Sequence, residues 1–293
     1  MLPALTVPIK EWSLGLESEA AYWRLMTASG WVFRARNNST TKVKTSFKKK
    51  VYDYSADLNA RLDHMKPFLF EPELLSTADT GQKIFRVLDV GSGPISWMGW
   101  RLSRPDLFFE SIPVDPLGHL YRRILDEQHP PGLQPTANGG PSRAVPARPL
   151  ALRAEALTSL FAHNSFDMVA SRNAIDHSQD PLRCLSEMVA TVKPGRFVVL
   201  ELFEREGAIQ NYRDLHKWNF MWTQARGLEL GGKGTRLESV QQILRKEVAS
   251  INCSRGYRET VGLGATSAMH KGSIHKETSR EREISCFLKK HVK

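Results

Sequence analysis

One stretch constrains the fold more than any other: Phe85 to Pro116, FRVLDVGSGPISWMGWRLSRPDLFFESIPVDP. A short apolar run (Val87, Leu88, Asp89, Val90) passes through Gly91-Ser92-Gly93 into an amphipathic segment of about three helical turns. This reads as a buried strand, a tight glycine turn and a helix. A second apolar run, Leu107 to Val114, ends in Asp115, roughly 20 to 25 residues beyond the glycines. Strand, glycine turn, helix, strand and terminal acid make half of a nucleotide-binding α/β fold. The glycines let backbone approach a ligand, and the later carboxylate is placed to accept two ribose hydroxyls. By itself the unit also fits a plain turn that needs φ > 0.

A chain of 293 residues can hold one large α/β domain with additions, or two small domains. Its 41% hydrophobic and 25% charged content are ordinary for a packed globular protein. No apolar stretch reaches the roughly 20 residues of a membrane span, and MLPALTVPIKEW has no basic segment followed by an apolar one. The expectation is a soluble, unsecreted, cytoplasmic protein. Cys184, Cys253 and Cys286 are odd in number and far apart, with no CxxC pair and no histidine spacing that suggests zinc, so a reducing compartment and no metal are expected. The formal charge of +10 is uneven. Seven Lys or Arg and no acid fall between Arg34 and Lys50, and Lys271 to Lys293 also has more bases than acids. Both runs read as solvated surface. Neither has the interleaved aromatics of a nucleic-acid stacking platform, so a nucleic-acid partner is not favoured.

In chain order, Trp12 to Trp31 has helical spacing and predicts one or two helices packed on the core as a lid, its three tryptophans serving burial or a substrate pocket. Tyr54 to Leu75 repeats the helical pattern, and Leu117 to Glu127 predicts another helix. Residues 129–149 are dense in Pro and Gly and read as loop. Phe166 to Ala170 predicts a strand, Asp180-Pro181 a helix start, Lys193-Pro194-Gly195 its end, and Phe197 to Phe203 the next buried strand. Strands alternating with helices indicate a parallel sheet covered on both faces. Leu237 to Leu244 looks helical and Val248 to Cys253 extended. The expected layout is an N-terminal helical cap with the basic segment (1–80), an α/β domain (81–260) and a flexible basic tail (261–293).

From Val87 to Glu204 the chain resembles the class I S-adenosylmethionine-dependent methyltransferases, and is similar to their ubiquinone and menaquinone C-methyltransferase group. The resemblance rests on VLDVGSGP, the acid of PVDP, AEAL followed by NSFDMV, and DHSQDPLRCLSEMVATVKPGRFVVLE, in that order. It implies a Rossmann-like, doubly wound, mostly parallel sheet under the N-terminal cap, with S-adenosylmethionine as cofactor. Position by position it implies that Asp89, Gly91 and Gly93 lie under the methionine part and that Asp115 binds the ribose. Ala154 and Glu155 would flank the adenine, and Ser171 and Asn173 would face the sulfonium and substrate. The chain departs from the family pattern at Ile95, where a third glycine is frequent, at Arg153 in place of an acid, and at Gly195-Arg196 in place of a double glycine.

Methyl transfer from a positive sulfur needs no metal and no covalent intermediate. It needs alignment of acceptor and methyl, and for an acidic acceptor a general base within reach. Two polar clusters offer one: Asp176 and His177 after the fourth strand, and His216 in NYRDLHKWN after the fifth, where Trp218 and Asn219 are pocket candidates. Helix capping and buried hydrogen bonding are the bland readings of the same residues. The expectation is methyl transfer to a small molecule. The alternatives are an RNA or protein methyltransferase docked by the basic runs, and a non-catalytic scaffold of the same fold. A nicotinamide dehydrogenase is disfavoured, because its third glycine falls at Ser96.

Overall fold

The computed structural model describes residues 5–36, 44–46, 51–55, 76–77, 83–98, 107–128, 147–262 and 277–292. Helix α1 (Ile9–Ala28) comes first, followed by β1 (Val32–Arg36), β2 (Lys44–Ser46) and β3 (Val51–Ser55), which pair in the order β1-β3-β2. The basic run thus supplies strand backbone at two places. The helix expected from Tyr54 gives way at its start to β3, and its remainder lies outside the described residues; the helix expected after Gly93 is turn and bend over 94–98, and its remainder from 99 lies outside them too.

The main sheet is built on β5 (Lys83–Val90), edged at its start by the short β4 (Ser76–Thr77). Its other strands are β6 (Leu107–Asp115), β7 (Leu150–Ala151), β8 (Phe166–Arg172), β9 (Val192–Phe203), β13 (Val248–Gly262) and β14 (Glu277–Lys290). Their order is β13-β14-β9-β8-β5-β6-β7. The neighbours from β7 to β9 are parallel, whereas β14 runs against both β9 and β13. This is a Rossmann-like, mostly parallel sheet. From β5 the chain winds outward to β6 and β7, then returns to the other side of β5 as β8 and β9. The strand order reverses between β5 and β8, and a crevice opens at such a reversal beyond the carboxyl ends of the strands.

Helices α2 (Gly118–Gln128) and α3 (Pro181–Thr191) return the chain to the sheet. Asp180 caps α3 by accepting from Arg183 N at 2.9 Å, and Pro181 occupies the first turn, where no amide donor is needed. Gly195 takes φ +74° at the turn into β9. One apolar cluster joins Leu185, Met188 and Val189 of α3 to Val169, Val198 and Leu200 of the sheet. A second gathers Ala20 of α1, Ile95 and α2's Leu120, Tyr121, Ile124 and Leu125. Between β9 and β13 lies an insertion: α4 (Glu206–Ile209), then β10 (Trp218–Thr223), β11 (Gly227–Gly232) and β12 (Glu238–Ser239) as an antiparallel meander, then α5 (Val240–Ile243). The helix expected over Leu237 to Leu244 is only the single turn α5.

The expected flexible tail is corrected by β14. Ile284, Cys286 and Leu288 are wholly buried while Glu283, Ser285 and Phe287 point the other way, so a period of two was hidden among the surrounding charges. The cysteine reading is corrected too. Cys253 and Cys286 face each other in the β13–β14 register and are joined by a disulfide, leaving Cys184 free and buried. No described helix is long and apolar enough to cross a membrane.

Candidate functional site

The end of β5 and the end of β6 are tied together. Gly91 and Ser92 N donate to Val114 O at 2.9 and 3.1 Å, and Gly93 N donates to Asp115 Oδ2 at 3.1 Å. Asp115 Oδ1 accepts from Leu117 N at 2.8 Å, so the carboxylate is held from both sides. Both glycines have positive φ, +69° at Gly91 and +62° at Gly93. A Cβ at Gly91 would lie 2.2 Å from Ala174 Cβ, so close packing requires glycine there. A Cβ at Gly93 would meet nothing within 4 Å, which leaves an open cradle in front of the turn.

That cradle is one wall of a cavity of about 310 Å³. Its floor is Val90 to Pro94 and Asp115 to Leu117, one side is Ala154 and Glu155, and the far side is Arg172 to Ile175 with His177. Helix α1 is the roof, contributing Trp12, Leu16, Glu19 and Trp23. The roof is fastened by Trp12 Nε1 donating to His177 O at 3.0 Å and by the Val7–Gln179 pair, in which Val7 N donates at 2.9 Å and Gln179 Nε2 at 3.0 Å. Trp23 Nε1 donates to Glu19 Oε1 at 2.6 Å and holds that carboxylate in place. Burial pushes the Asp115 carboxyl up to about 7, against the lowering effect of the Leu117 and Gly93 amides, with the charges of Glu19 and Asp89 adding to the rise.

Of the residues singled out in the sequence, Gly91, Gly93, Asp115, Ala154, Glu155, Asn173 and His177 line this one cavity. Glu155 Oε1 accepts from Gln179 N at 2.8 Å and Asp180 N at 3.2 Å, so the carboxylate also secures the start of α3. Asn173 has φ +45°, and its Oδ1 is buried without a hydrogen-bond partner. Asp89 and Ser171 do not line the cavity. Asp89 is wholly buried under the turn and accepts from Ser96 Oγ; Ser171 is wholly buried in β8. Trp218 and Asn219 do not line it either. Trp218 Nε1 donates to Ser178 O at 2.9 Å, while Asn219 Oδ1 accepts from Ala208 N at 2.8 Å and its Nδ2 donates to Tyr212 OH at 2.7 Å. They pack the insertion against the site.

Asp176, His177 and His216 come together although 39 residues separate the two histidines. His177 Nε2 and His216 Nδ1 are 2.9 Å apart, and Asp176 Oδ2 is 3.3 Å from the first and 3.2 Å from the second. Glu206 joins them, its Oε1 3.5 Å from His216 Nδ1. Burial would raise the Asp176 carboxyl, but the two imidazoles overcome it and hold it below its usual value. Burial lowers His177, against the pull of Asp176's charge. Five of the six described non-glycine residues with positive φ flank this group and the cavity: Asn173, Arg205, Asn211, Tyr212 and Asp214. Such backbone persists where the surroundings over-determine it. The sequence reading missed Glu206, whose only signal is an acid just past a strand end, and Arg172, which lines the cavity while pairing with Glu201 at 3.1 Å.

A sheet of this order, with a glycine turn at its switch point and a carboxylate on the next strand, is Rossmann-like, and S-adenosylmethionine is the group that the sequence resemblance implies for its crevice. The group fits the residues present. The cradle at Gly93 is open, and Asp115 and Glu19 give the cavity carboxylates suited to a cationic sulfur nucleoside. Residues 137–200 match the family model described as methyltransferase domain. No curated protein matches. Among solved structures, the chain is similar to an arsenic (III) S-adenosylmethionine methyltransferase from Chlamydomonas reinhardtii, at 16% identity over 71% of this chain and 64% of that one, TM-score 0.41. It is also similar to a SAM-dependent methyltransferase from Archaeoglobus fulgidus, at 15% identity over 79% and 92%, TM-score 0.42. A third is a phosphoethanolamine N-methyltransferase from Haemonchus contortus, at 16% identity over 79% and 52%, TM-score 0.41. The chain thus spans less than two thirds of the length of the algal and nematode proteins.

Proposed function

We propose that this chain transfers a methyl group to a small-molecule acceptor bound beneath α1. The observation that carries the reading is the roof: Trp12, Leu16, Glu19 and Trp23 close a cavity of about 310 Å³ over the glycine turn, a size suited to small ligands rather than to a polymer. S-adenosylmethionine, when bound, supplies a methyl carbon activated by positive sulfur. Gly91 and Gly93 would hold its amino-acid part, Asp115 its ribose, and Ala154 with Glu155 its base, while Asn173 would lie towards the sulfur. The roof excludes water and limits the orientations open to the acceptor, and alignment of this kind is worth several kcal/mol of barrier.

The acceptor's proton is lost towards the group formed by Asp176, His177, Glu206 and His216. Of these, His177 reaches the cavity wall, and Asp176 and His216 fix the orientation of its ring. Ser171, Trp218 and Asn219 act from behind, by packing and by holding the insertion in place.

The test is to incubate the purified full chain with methyl-labelled S-adenosylmethionine and, separately, with a small-molecule extract, with RNA and with protein. Label in the low-molecular-weight fraction is expected. Label confined to RNA or protein would overturn the small-molecule reading.

A further inference from the structure

The Asp176, His177, Glu206 and His216 side chains converge more tightly than a hydrogen-bonded corner requires. One ligating atom from each lies within 4.8 Å of every other. His216 Nδ1 has three polar atoms around it: His177 Nε2 at 2.9 Å, Asp176 Oδ2 at 3.2 Å and Glu206 Oε1 at 3.5 Å. A single N–H serves one of these well. Ligands 2.0–2.2 Å from a tetrahedral cation are spaced by roughly 3.3–3.6 Å, and by roughly 2.8–3.1 Å around an octahedral one. Of the four separations above, 2.9 Å falls in the second range, 3.3 and 3.5 Å in the first, and 3.2 Å between them.

An independent observation points the same way. The second carboxylate oxygen of Asp176, Oδ1, is buried with no hydrogen-bond partner, on a residue only 3% exposed. It leaves one oxygen of the aspartate, beside the one that faces the imidazoles, as a buried acceptor without a partner. The backbone under each ligand is fixed beforehand. Trp12 Nε1 donates to His177 O, Lys217 N to Asp176 O at 3.3 Å, Gln210 N to Glu206 O at 2.8 Å, and His216 N to Arg213 O at 3.0 Å. The two histidine side chains keep 23% of their surface exposed, and His177 borders the cavity, so the site is reachable.

We infer that these four residues bind one divalent transition-metal cation at the edge of the cavity. Two imidazole nitrogens and two carboxylate oxygens, without a thiolate, suit Zn²⁺, Fe²⁺, Co²⁺ or Mn²⁺. Resting on the methyl-transfer reading above, a cation held here would replace the free imidazoles as the group that labilises the acceptor's proton, which then leaves to solvent, and it selects acceptors that carry a hydroxyl or another oxygen donor.

The experiment uses the full chain stripped with a chelator and titrated with Co²⁺ alone, followed by its visible d–d absorption, with Zn²⁺ as competitor. Saturation at one Co²⁺ per chain, displaced by Zn²⁺, is expected. His216→Ala and Asp176→Asn should each weaken binding by at least roughly 100-fold, since even outer-shell partners of a metal ligand are worth 10–100-fold. Glu206→Gln serves if either of those fails to fold by circular dichroism. No saturable absorption in the wild type, or the same titration in every folded variant, would overturn the inference. Calorimetry with S-adenosylhomocysteine on the same samples separates the two readings: if nucleoside binding alone fails, the methyl-transfer reading falls and the metal site stands.

Discussion

Replacing Asp115 with Ala tests the cofactor cradle most directly. Its carboxylate already accepts from Gly93 N at 3.1 Å and Leu117 N at 2.8 Å, and each oxygen retains a lone pair for a ribose hydroxyl. Hydrogen bonds to an ionised acceptor are worth about 1.5–3 kcal/mol each, and two would be lost from the complex. Water entering the vacated space returns part of this, leaving a net loss of about 3 kcal/mol and a Kd roughly 150-fold weaker. Calorimetric titration with S-adenosylmethionine measures it. The same residue sets a pH signature. Because burial pushes its carboxyl up to about 7, below that pH the free protein must shed a proton before the carboxylate can accept two hydroxyls. Wild-type affinity should tighten as pH rises towards 7, by up to about tenfold per unit, and level off above it, whereas Asp115→Asn should be flat through that window. The sign for stability is opposite. The folded, cofactor-free chain holds a proton that the unfolded chain releases near the ordinary value of 3.8, so this contribution is complete below 3.8 and is lost as pH rises through about 7. Unchanged affinity in Asp115→Ala, or a wild-type Kd that does not move between pH 6 and 8, would refute the reasoning.

Gly91→Ala should destabilise the protein by about 2–4 kcal/mol in urea unfolding, because the added methyl lands 2.2 Å from Ala174 Cβ on backbone at φ +69°. Trp12→Ala empties a roof position that is 5% exposed and removes the bond to His177 O, so a loss of about 3–5 kcal/mol is expected, together with weaker nucleoside binding by calorimetry. Breaking the Cys253–Cys286 bridge releases a loop of sequence separation 33; comparing denaturant midpoints with and without reductant should show a loss of about 4 kcal/mol, and no shift would indicate that the bridge does not form in solution.

The cradle was legible in the sequence because its parts are local. Gly91, Gly93 and Asp115 sit on one strand-turn-strand unit, and parallel pairing of β5 with β6 is enough to bring the turn against the acid. β14 was not legible. Its alternation of Ile284, Cys286 and Leu288 follows a charged stretch, Arg280 to Glu283, and its place beside β9 depends on a partner strand some eighty to ninety residues upstream. The disulfide was hidden because a strand register, not a sequence motif, sets Cys253 opposite Cys286 across 33 residues. The histidine cluster is the intermediate case. Asp176, His177 and His216 were nameable one by one as polar residues beyond strand ends, Glu206 was not, and their convergence depends on three separate connections: the 3₁₀ turn Ile175–His177, the α4 turn that carries Glu206, and the loop that carries His216 into β10. A metal motif announces itself in a sequence when its ligands share one helix or one knuckle. Here each ligand arrives on its own stretch of chain, and the inward order is set by pieces that look structural: Trp218 holding Ser178, and Asn219 holding Ala208. The two residues picked from the sequence to face a substrate are therefore better understood as the scaffold that brings Glu206 and His216 to Asp176 and His177, and substituting Asn219 with Ala should loosen that convergence without touching the cavity wall.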